Sequence, residues 1–309
     1  MAKKRFKRKI KRIKNNLIYI AVMIFIRFMQ KISRRQAFVV AHGISIMAFY
    51  LAAGERKKTI CHLTIAYGRE KKPEELRLMA RMVFFDLGRN MVDAIRLPQI
   101  SAGQLNSLVK VHGLKYLNRA LARGKGVIAI SGHIGNWELS ASWLVNNGYP
   151  VWAIGAKLYD QRINDLITSQ RNAVGYHNIE RGKATRQMFR ALKQGDIVGI
   201  LMDQDTRVDG VFVDFFGKKA FTPTGPVKMA MKLGCALVPM AIHIEPDNTH
   251  VLEIKPEIEI IKTNDIQTDR IVNTEKCSHV IEEFIREQPT QWVWMHRRWK
   301  TKQKKEYPS

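Results

Sequence analysis

Cysteine is scarce in this chain of 309 residues: it has Cys61, Cys235 and Cys277 and no C-x-x-C pair. This usage excludes a disulfide framework and a zinc ribbon, and it is typical of a protein from a reducing compartment. Acidic residues are also few, with 27 Asp and Glu against 52 Lys and Arg, which gives a net charge of +25. Such an excess indicates an anionic partner, which is nucleic acid, an anionic membrane surface or an acidic protein.

The apolar run near the N-terminus is too short to span a membrane by itself. Nine basic residues between positions 3 and 14 precede ten apolar residues at 17–26. As a helix these ten rise roughly 15 Å, about half of a hydrocarbon core, so they enter one leaflet or cross only within a longer, tilted helix. No small-x-small cleavage site follows, which disfavours a signal peptide. We therefore expect residues 1–35 to anchor the protein to the inner membrane, with its bulk on the cytoplasmic side.

The pattern of apolar residues in the sequence changes near residue 123. Residues 36–122 show mainly helical spacing, and an uncharged stretch at 37–54 predicts a core or interfacial helix. Beyond 123, short apolar runs alternate with helical stretches, which is typical of βαβ units. The expected strands are 127–131, 151–155, 197–203 and 236–244. The expected helices between them are 137–146, 159–173, 183–194 and 225–233.

These patterns predict one α/β domain over residues 36–309, with a mostly parallel sheet flanked by helices in its 123–309 part. The alternating segment 250–260 predicts an edge or antiparallel strand, and Pro256 favours the edge because proline cannot donate to a neighbouring strand.

The segment SGHIGNWE, residues 131–138, contains the most informative motif. A strand should end just before His133 and a helix should begin after Asn136, a favourable N-cap residue. His133 then lies at the carboxyl end of a strand, where open α/β sheets gather their ligands. The flanking glycines allow the turn to fold back, so we expect Glu138 in the first helical turn to contact the His133 imidazole.

An imidazole held by a carboxylate is a general base. Ser131 lacks the sharp G-x-S-x-G elbow of a nucleophile. The simplest chemistry is therefore direct transfer, in which His133 takes a proton from a hydroxyl that attacks an activated acyl carbonyl. The alternative is a His–Glu contact that only caps a helix. No metal or bound cofactor is expected, because no H-E-x-x-H motif or second ligand cluster is present.

Three further segments extend the pattern. GDIVGILMDQD (195–205), VDFFGKKAFTPTGPVKMA (213–230) and PTQWVWMHRRWK (289–300) follow SGHIGNWE in order. Together they resemble the late acyltransferases of lipid A biosynthesis, the lauroyl and myristoyl transferases. These belong to the glycerolipid acyltransferase superfamily with its H-x-x-x-x-[DE] motif. The resemblance covers about residues 105–300, and it implies an α/β domain behind an N-terminal membrane helix.

The resemblance also implies roles for individual residues. His133 is the expected base with Glu138 as its partner, and Asp203 and Gln204 occupy the family's D-Q position after a strand. Arg181 lies where such enzymes tend to hold an anionic headgroup. In the last segment, Arg297 and Arg298 are costly to bury, so we expect them to face phosphates or the membrane interface.

The leading hypothesis is a membrane-bound acyltransferase that moves a fatty acyl group from a thioester to a hydroxyl of an anionic glycolipid, a lipid A precursor. The donor would be acyl-carrier protein or acyl-coenzyme A. The first alternative is the same chemistry on a lysophospholipid, a phosphatidylinositol mannoside or another membrane lipid. The second is a basic nucleic-acid-binding protein, but the sequence carries no helix-turn-helix, zinc-finger or RNP pattern, so nucleic acid is not the expected partner.

Overall fold

The computed structural model describes residues 2–155, 160–180 and 184–303, in which the chain forms eleven α-helices and nine β-strands. The helices are α1 Ala2–Lys31, α2 Arg34–Leu51, α3 Ala53–Tyr67, α4 Pro73–Arg96, α5 Ala102–Leu108, α6 Leu114–Leu121, α7 Trp137–Asn146, α8 Gln161–Val174, α9 Ala184–Lys193, α10 Gly225–Leu233 and α11 Ile266–Glu287. The strands are β1 Val109–His112, β2 Val127–Ser131, β3 Val151–Gly155, β4 His177–Glu180, β5 Ile197–Leu201, β6 Gly210–Phe215, β7 Lys218–Pro223, β8 Ala236–Ile244 and β9 His250–Ile254.

Seven of these strands form one sheet in the order β1-β9-β8-β2-β5-β3-β4. The five strands from β8 to β4 are mutually parallel, while β9 runs antiparallel to β8 and carries β1 parallel to itself. The strands β6 and β7 form a separate antiparallel hairpin. The predicted α/β class with a mostly parallel sheet flanked by helices is therefore confirmed.

Apolar side chains cover both faces of the sheet. In β2, Ile128 and Ile130 pack into one core with residues of α9, α10 and α11, whereas Val127 and Ala129 pack into a second core with residues of α6 and α7. A strand buried on both faces has no polar side to show, which explains the uninterrupted apolar runs in the sequence. The carboxyl edge of the parallel strands is left to hold polar side chains.

The length and the position of the strand predicted at 250–260 require correction. The segment predicted as a strand over 250–260 is a strand only over His250–Ile254, and it is antiparallel as predicted. It is not at the edge, because β1 pairs with its outer side. Pro256 lies beyond the strand, so its missing N–H costs no ladder hydrogen bond. The strand β1 itself interrupts the predicted helical region 36–122.

The N-terminal helix α1 continues through the basic residues and the apolar run to Lys31. Among the described residues, no single helix is both long and apolar enough to cross a bilayer, and α2 and α3 meet that criterion only together, across an 87° bend. One side of α1 packs on the protein, where Met29 is buried with Ala37, Ala41 and Val92. The opposite side leaves Leu17, Ile20, Ile24 and Phe28 exposed.

Candidate active site

His133 and Asp203 meet because two neighbouring strands are in register. His133 lies two residues beyond the end of β2, and Asp203 lies two residues beyond the end of β5. Ser131 of β2 pairs with Leu201 of β5 in a parallel ladder, so the two side chains emerge side by side. Nδ1 of His133 is 2.7 Å from Oδ1 of Asp203, and the backbone N–H of His133 donates to Oδ2 at 2.7 Å.

Asp203 is an ionised carboxylate in a closed setting. It is only 1% exposed, and the indole N–H of Trp292 donates to its Oδ2 at 2.7 Å. Burial alone would raise the pKa of Asp203, but the charge of His133 and the hydrogen bonds from His133 and Trp292 outweigh it and hold that pKa well below its usual range. Because an ionised carboxylate only accepts, Nδ1 of His133 carries the proton.

Whenever the His133 ring is neutral, the tautomer fixed by Asp203 leaves Nε2 as its basic nitrogen. The side-chain amide nitrogen of Gln204 lies 3.2 Å from this Nε2 and 3.1 Å from the ring nitrogens of His296. The rings of His133 and His296 are 4.7 Å apart, centre to centre. Burial, and next the charge of His133, lower the pKa of His296 to about 4, so His296 is neutral near pH 7.

The glycine-flanked turn is held by two neighbours. Gly135 has a φ of +57°, and a Cβ there would lie 2.0 Å from the Ile242 carbonyl oxygen of β8, so only glycine fits. The C-terminal segment covers the other side: the N–H of Gly135 donates to the Gln291 carbonyl, and the N–H of Val293 donates to the His133 carbonyl. The predicted N-cap is confirmed, since the Asn136 side chain accepts from Leu139 N–H at 3.2 Å.

Glu138 does not hydrogen-bond to the His133 imidazole, contrary to the prediction. Both side chains lie among the described residues, and no hydrogen bond joins them; the Glu138 carboxylate instead accepts from the Arg171 guanidinium, with Nε at 2.9 Å, and from the Tyr176 hydroxyl. The physical reason is that α7 begins at Trp137, so its first turn directs Glu138 toward α8 and the start of β4. The sheet register meanwhile supplies His133 with a different carboxylate.

The Glu138 cluster has its own electrostatics. Burial alone would lower the pKa of the Arg171 guanidinium. The hydrogen bonds from Arg171 to Glu138 and the charge of Glu138 outweigh it, so that this pKa is raised. Burial, and next the charge of Glu138, raise the pKa of the Tyr176 hydroxyl, which stays protonated and donates. Arg171 also donates to Asn178 Oδ1 at 2.7 Å. Arg171 is thus a fixed positive group, paired and oriented by its neighbours.

His133 and Glu138 nevertheless line the same cavity, which has a volume of about 710 Å³. One wall is a polar stripe of α8, spaced at three and four residues, formed by Gln161, Asn164, Asp165 and Thr168. A second, mainly apolar groove of about 290 Å³ lies between α1, α4 and α8. The two spaces share the side chains of Trp137, Glu138, Ile167 and Arg171.

The other predicted site residues have different outcomes. Gln204 lines the cavity beside His133, while Arg297 is exposed on the C-terminal segment. Arg298 is 1% exposed, and its guanidinium donates to the Phe221 carbonyl and the Thr222 hydroxyl, both at 2.6 Å. It therefore ties the C-terminal segment to β7 instead of facing phosphates, and burial lowers its pKa to about 10. Arg181 lies outside the described residues.

Sequence reasoning missed four residues of the site. Trp292 and His296 belong to the segment 289–300, whose mixture of tryptophan, histidine and arginine signals them. Arg171 and Tyr176 carry no such signal, because an arginine within a polar helix and a tyrosine before a short strand are ordinary surface and core residues.

Fold and site together define a class: an α/β protein with an imidazole–carboxylate pair at the carboxyl edge of its parallel strands. The family model described as bacterial lipid A biosynthesis acyltransferase matches residues 1–301, and the chain belongs to that family. The predicted family is thus confirmed.

The similar proteins include phosphatidylinositol mannoside acyltransferases and lipid A biosynthesis acyltransferases. A phosphatidylinositol mannoside acyltransferase of Mycolicibacterium smegmatis is 28% identical over 171 residues, 54% of this chain and 56% of the relative. A lipid A biosynthesis acyltransferase of Haemophilus influenzae is 26% identical over 235 residues, covering 74% and 68%. The lipid A biosynthesis lauroyltransferase of Escherichia coli is 27% identical over 205 residues, 62% of each chain. The chain spans about half the length of the phosphatidylinositol mannoside acyltransferases that it matches.

Proposed function

We propose that this protein is an O-acyltransferase that moves a fatty acyl group from a thioester donor to a hydroxyl of an anionic glycolipid, in the first place a lipid A precursor. The observation that carries the proposal is the His133–Asp203 pair, which leaves a basic Nε2 at a large cavity. The membership of a lipid A acyltransferase family supports the reaction class.

The reaction follows from the protonation states. Nε2 of His133 takes the proton of the acceptor hydroxyl while its oxygen attacks the thioester carbonyl. The resulting imidazolium is stabilised by Asp203, to which Nδ1–H donates at 2.7 Å. The tetrahedral intermediate then collapses, the carbon–sulfur bond breaks, and the proton on Nε2 passes to the departing thiolate. The products are an ester and a free thiol, and His133 is neutral again. General-base assistance of this kind contributes about 10²–10⁴ in rate.

The cavity wall supports a polyol acceptor. Amide and hydroxyl groups of Gln161, Asn164 and Thr168 can donate to and accept from sugar hydroxyls, and Arg171 adds a fixed positive charge for an anionic group. In this proposal Glu138 acts through Arg171, which it holds in place, and not as the orienting partner of His133.

A second acceptor class is favoured by a specific observation. Relatives at 28–30% identity are phosphatidylinositol mannoside acyltransferases, and a mannosylated inositol is also a polyol on an anionic lipid. A phosphatidylinositol mannoside is therefore the second candidate acceptor for the same site, and a lysophospholipid or another membrane lipid is the remaining alternative.

We further propose attachment to the cytoplasmic face of the inner membrane. Over the run 17–26, α1 is apolar on its exposed side as well as on the side that packs on the protein, and a helical segment apolar all round belongs in an apolar environment. The basic residues before the apolar run suit anionic lipid headgroups. The net charge of +25 likewise suits an acidic acyl-carrier protein as donor, with acyl-coenzyme A as the alternative.

The test pairs wild-type protein with His133→Ala, each supplied with acyl-carrier protein bearing a labelled acyl chain and a lipid A precursor. Products are followed by mass spectrometry. We expect the precursor to gain one acyl chain with wild type only. Gain by a phosphatidylinositol mannoside alone would select the second acceptor, and equal transfer by both proteins would exclude His133 as the base.

A further inference from the structure

The apolar groove is built partly by the helix expected to serve only as an anchor. Val22 and Ile26 of α1 form one side of it, Met91 and Ile95 of α4 a second, and Ile163 of α8 a third. Val22 and Ile26 are four residues apart and so lie on one face of α1. The exposed Ile20 and Ile24 lie on other faces of the same helix.

Polar contacts fix α1 in this position at two places. Toward its C-terminus, the Arg96 guanidinium donates to the carbonyls of Met29 at 2.7 Å and Ile32 at 2.6 Å. Farther toward its N-terminus, the Arg162 guanidinium lies 4.2 Å from the ring centre of Tyr19 and donates to Asn16 Oδ1 at 2.9 Å. The helix is therefore held against α4 and α8 by defined bonds as well as by apolar packing.

The groove adjoins the reaction centre. Trp137, Glu138, Ile167 and Arg171 line both the groove and the cavity that holds His133. A ligand that occupies both spaces would be apolar along most of its length and joined to a polar group that reacts beside His133. An acyl chain with its thioester carbonyl at the cavity has this form, and its burial follows from the hydrophobic effect.

We propose that α1 is a wall of the acyl-chain site, and that Val22 and Ile26 help to determine which chain length the protein transfers. This inference rests on the proposed function for the identity of the ligand. It assigns the N-terminal helix a role in substrate selection that is separate from membrane attachment.

The first experiment compares Ile26→Phe with Ile24→Phe, which adds the same ring on the exposed side of α1. Each protein receives a mixture of acyl thioesters of graded chain length, and the acylated products are counted by mass. We expect Ile26→Phe to shift the ratio of long to short products by on the order of tenfold toward short chains. Ile24→Phe should keep the wild-type ratio, because its side chain is 64% exposed and outside the groove.

Ile26→Ala provides the opposite change and keeps the test valid should the larger ring prevent folding. It enlarges the groove, so the product ratio should move toward long chains. Equal ratios in wild type, Ile26→Ala and Ile26→Phe would overturn the proposal.

A second experiment does not depend on acyl transfer. The wild-type protein is irradiated with a fatty acid bearing a terminal diazirine, and the labelled residues are mapped by mass spectrometry with and without excess palmitate. We expect labelling near Val22, Ile26 and Met91 that palmitate suppresses. Labelling of Ile20 and Ile24 alone would overturn the groove assignment. Saturable groove labelling by a protein that transfers no acyl group would instead keep the groove and refute the proposed reaction.

Discussion

The two carboxylates at the cavity have the same charge but different partners. Asp203 is buried and accepts from an imidazole, a backbone N–H and an indole. Glu138 is partly exposed and accepts from a guanidinium, a phenol and the Trp137 indole, the last at 3.2 Å. Asp203 is therefore suited to fix a proton on His133, whereas Glu138 is suited to hold the positive charge of Arg171 at the wall.

Proximity along the chain is therefore a poor guide to contact at this edge of the sheet. Glu138 is five residues from His133 and Asp203 is seventy residues away, yet the distant residue binds the imidazole. A parallel ladder brings together residues at equal distances beyond paired strand ends, whatever their separation along the chain.

Replacement of Asp203 should reduce the rate more than any other change of a carboxylate at the cavity. Asp203→Asn should lower kcat by on the order of 10²–10⁴, because an amide neither stabilises the imidazolium nor selects the tautomer that leaves Nε2 basic. Asp205→Asn is the matched control in the same loop, where among the described residues the carboxylate accepts hydrogen bonds from Thr301 and none from His133. The rates are measured by mass on product lipid, with circular dichroism as the check on folding. A wild-type kcat for Asp203→Asn would return the orienting role to Glu138.

Replacing Glu138 should affect stability and substrate affinity more than the proton transfer. Glu138→Gln leaves Arg171 largely buried without its counter-ion, and we expect a loss of about 3–5 kcal/mol in the free energy of unfolding. Among proteins that remain folded, KM for the acceptor should rise while the pH profile of kcat keeps its wild-type shape. A changed pH profile with unaltered KM would contradict the separate roles of the two carboxylates.

A double-mutant cycle sharpens this prediction. Arg171→Met removes the positive charge, so Glu138→Gln should cost at least about 1 kcal/mol less in that background than in wild type. Additive losses would mean that the pair has no energetic coupling.

Features set by local pattern were predictable from the sequence. The strands β2, β3 and β8 and the helices α7 and α10 have the predicted bounds, because apolar runs, caps and glycines act over a few residues. The placement of His133 and Asp203 at the carboxyl edge followed from strand ends alone. The short strands β1 and β4 were missed, because VKVH and HNIE include polar residues and carry too few apolar positions to establish a period.

Features set by distant pairing were not predictable in this way. The partner of His133 depends on the order of β2 and β5 in the sheet, which the sequence pattern does not specify. The burial of Arg298 depends on the hairpin of β6 and β7, whose Phe221 carbonyl and Thr222 hydroxyl accept its hydrogen bonds. Both required three-dimensional contacts between segments far apart in the chain.

His296 makes the stability of the folded protein depend on pH. Its pKa is about 4 in the folded protein against 6.5 for the free side chain, so the unfolded chain binds an extra proton between these values. Stability is therefore lost as pH falls from about 6.5 to about 4. His296→Gln should reduce that loss by about 1–2 kcal/mol, since the side chain is partly exposed. Urea unfolding near pH 7 and near pH 4.5 measures the difference, with exposed His112→Gln as control. An unchanged loss in His296→Gln would contradict the burial of a neutral ring.

A smaller change in KM is expected from the polar stripe of α8. This stripe lines the cavity of His133, whereas the neighbouring groove is apolar. Thr168→Val keeps the size of the side chain but removes the hydroxyl of a residue that lines the cavity. Loss of one hydrogen bond to an acceptor sugar, about 0.5–1.5 kcal/mol, should raise KM for the glycolipid roughly two- to twelvefold while kcat changes little. Ser169→Ala is the control, because Ser169 is exposed and lies outside the cavity lining. Should both variants keep the wild-type KM, the headgroup contacts another wall, and Arg171 would be the next residue to test.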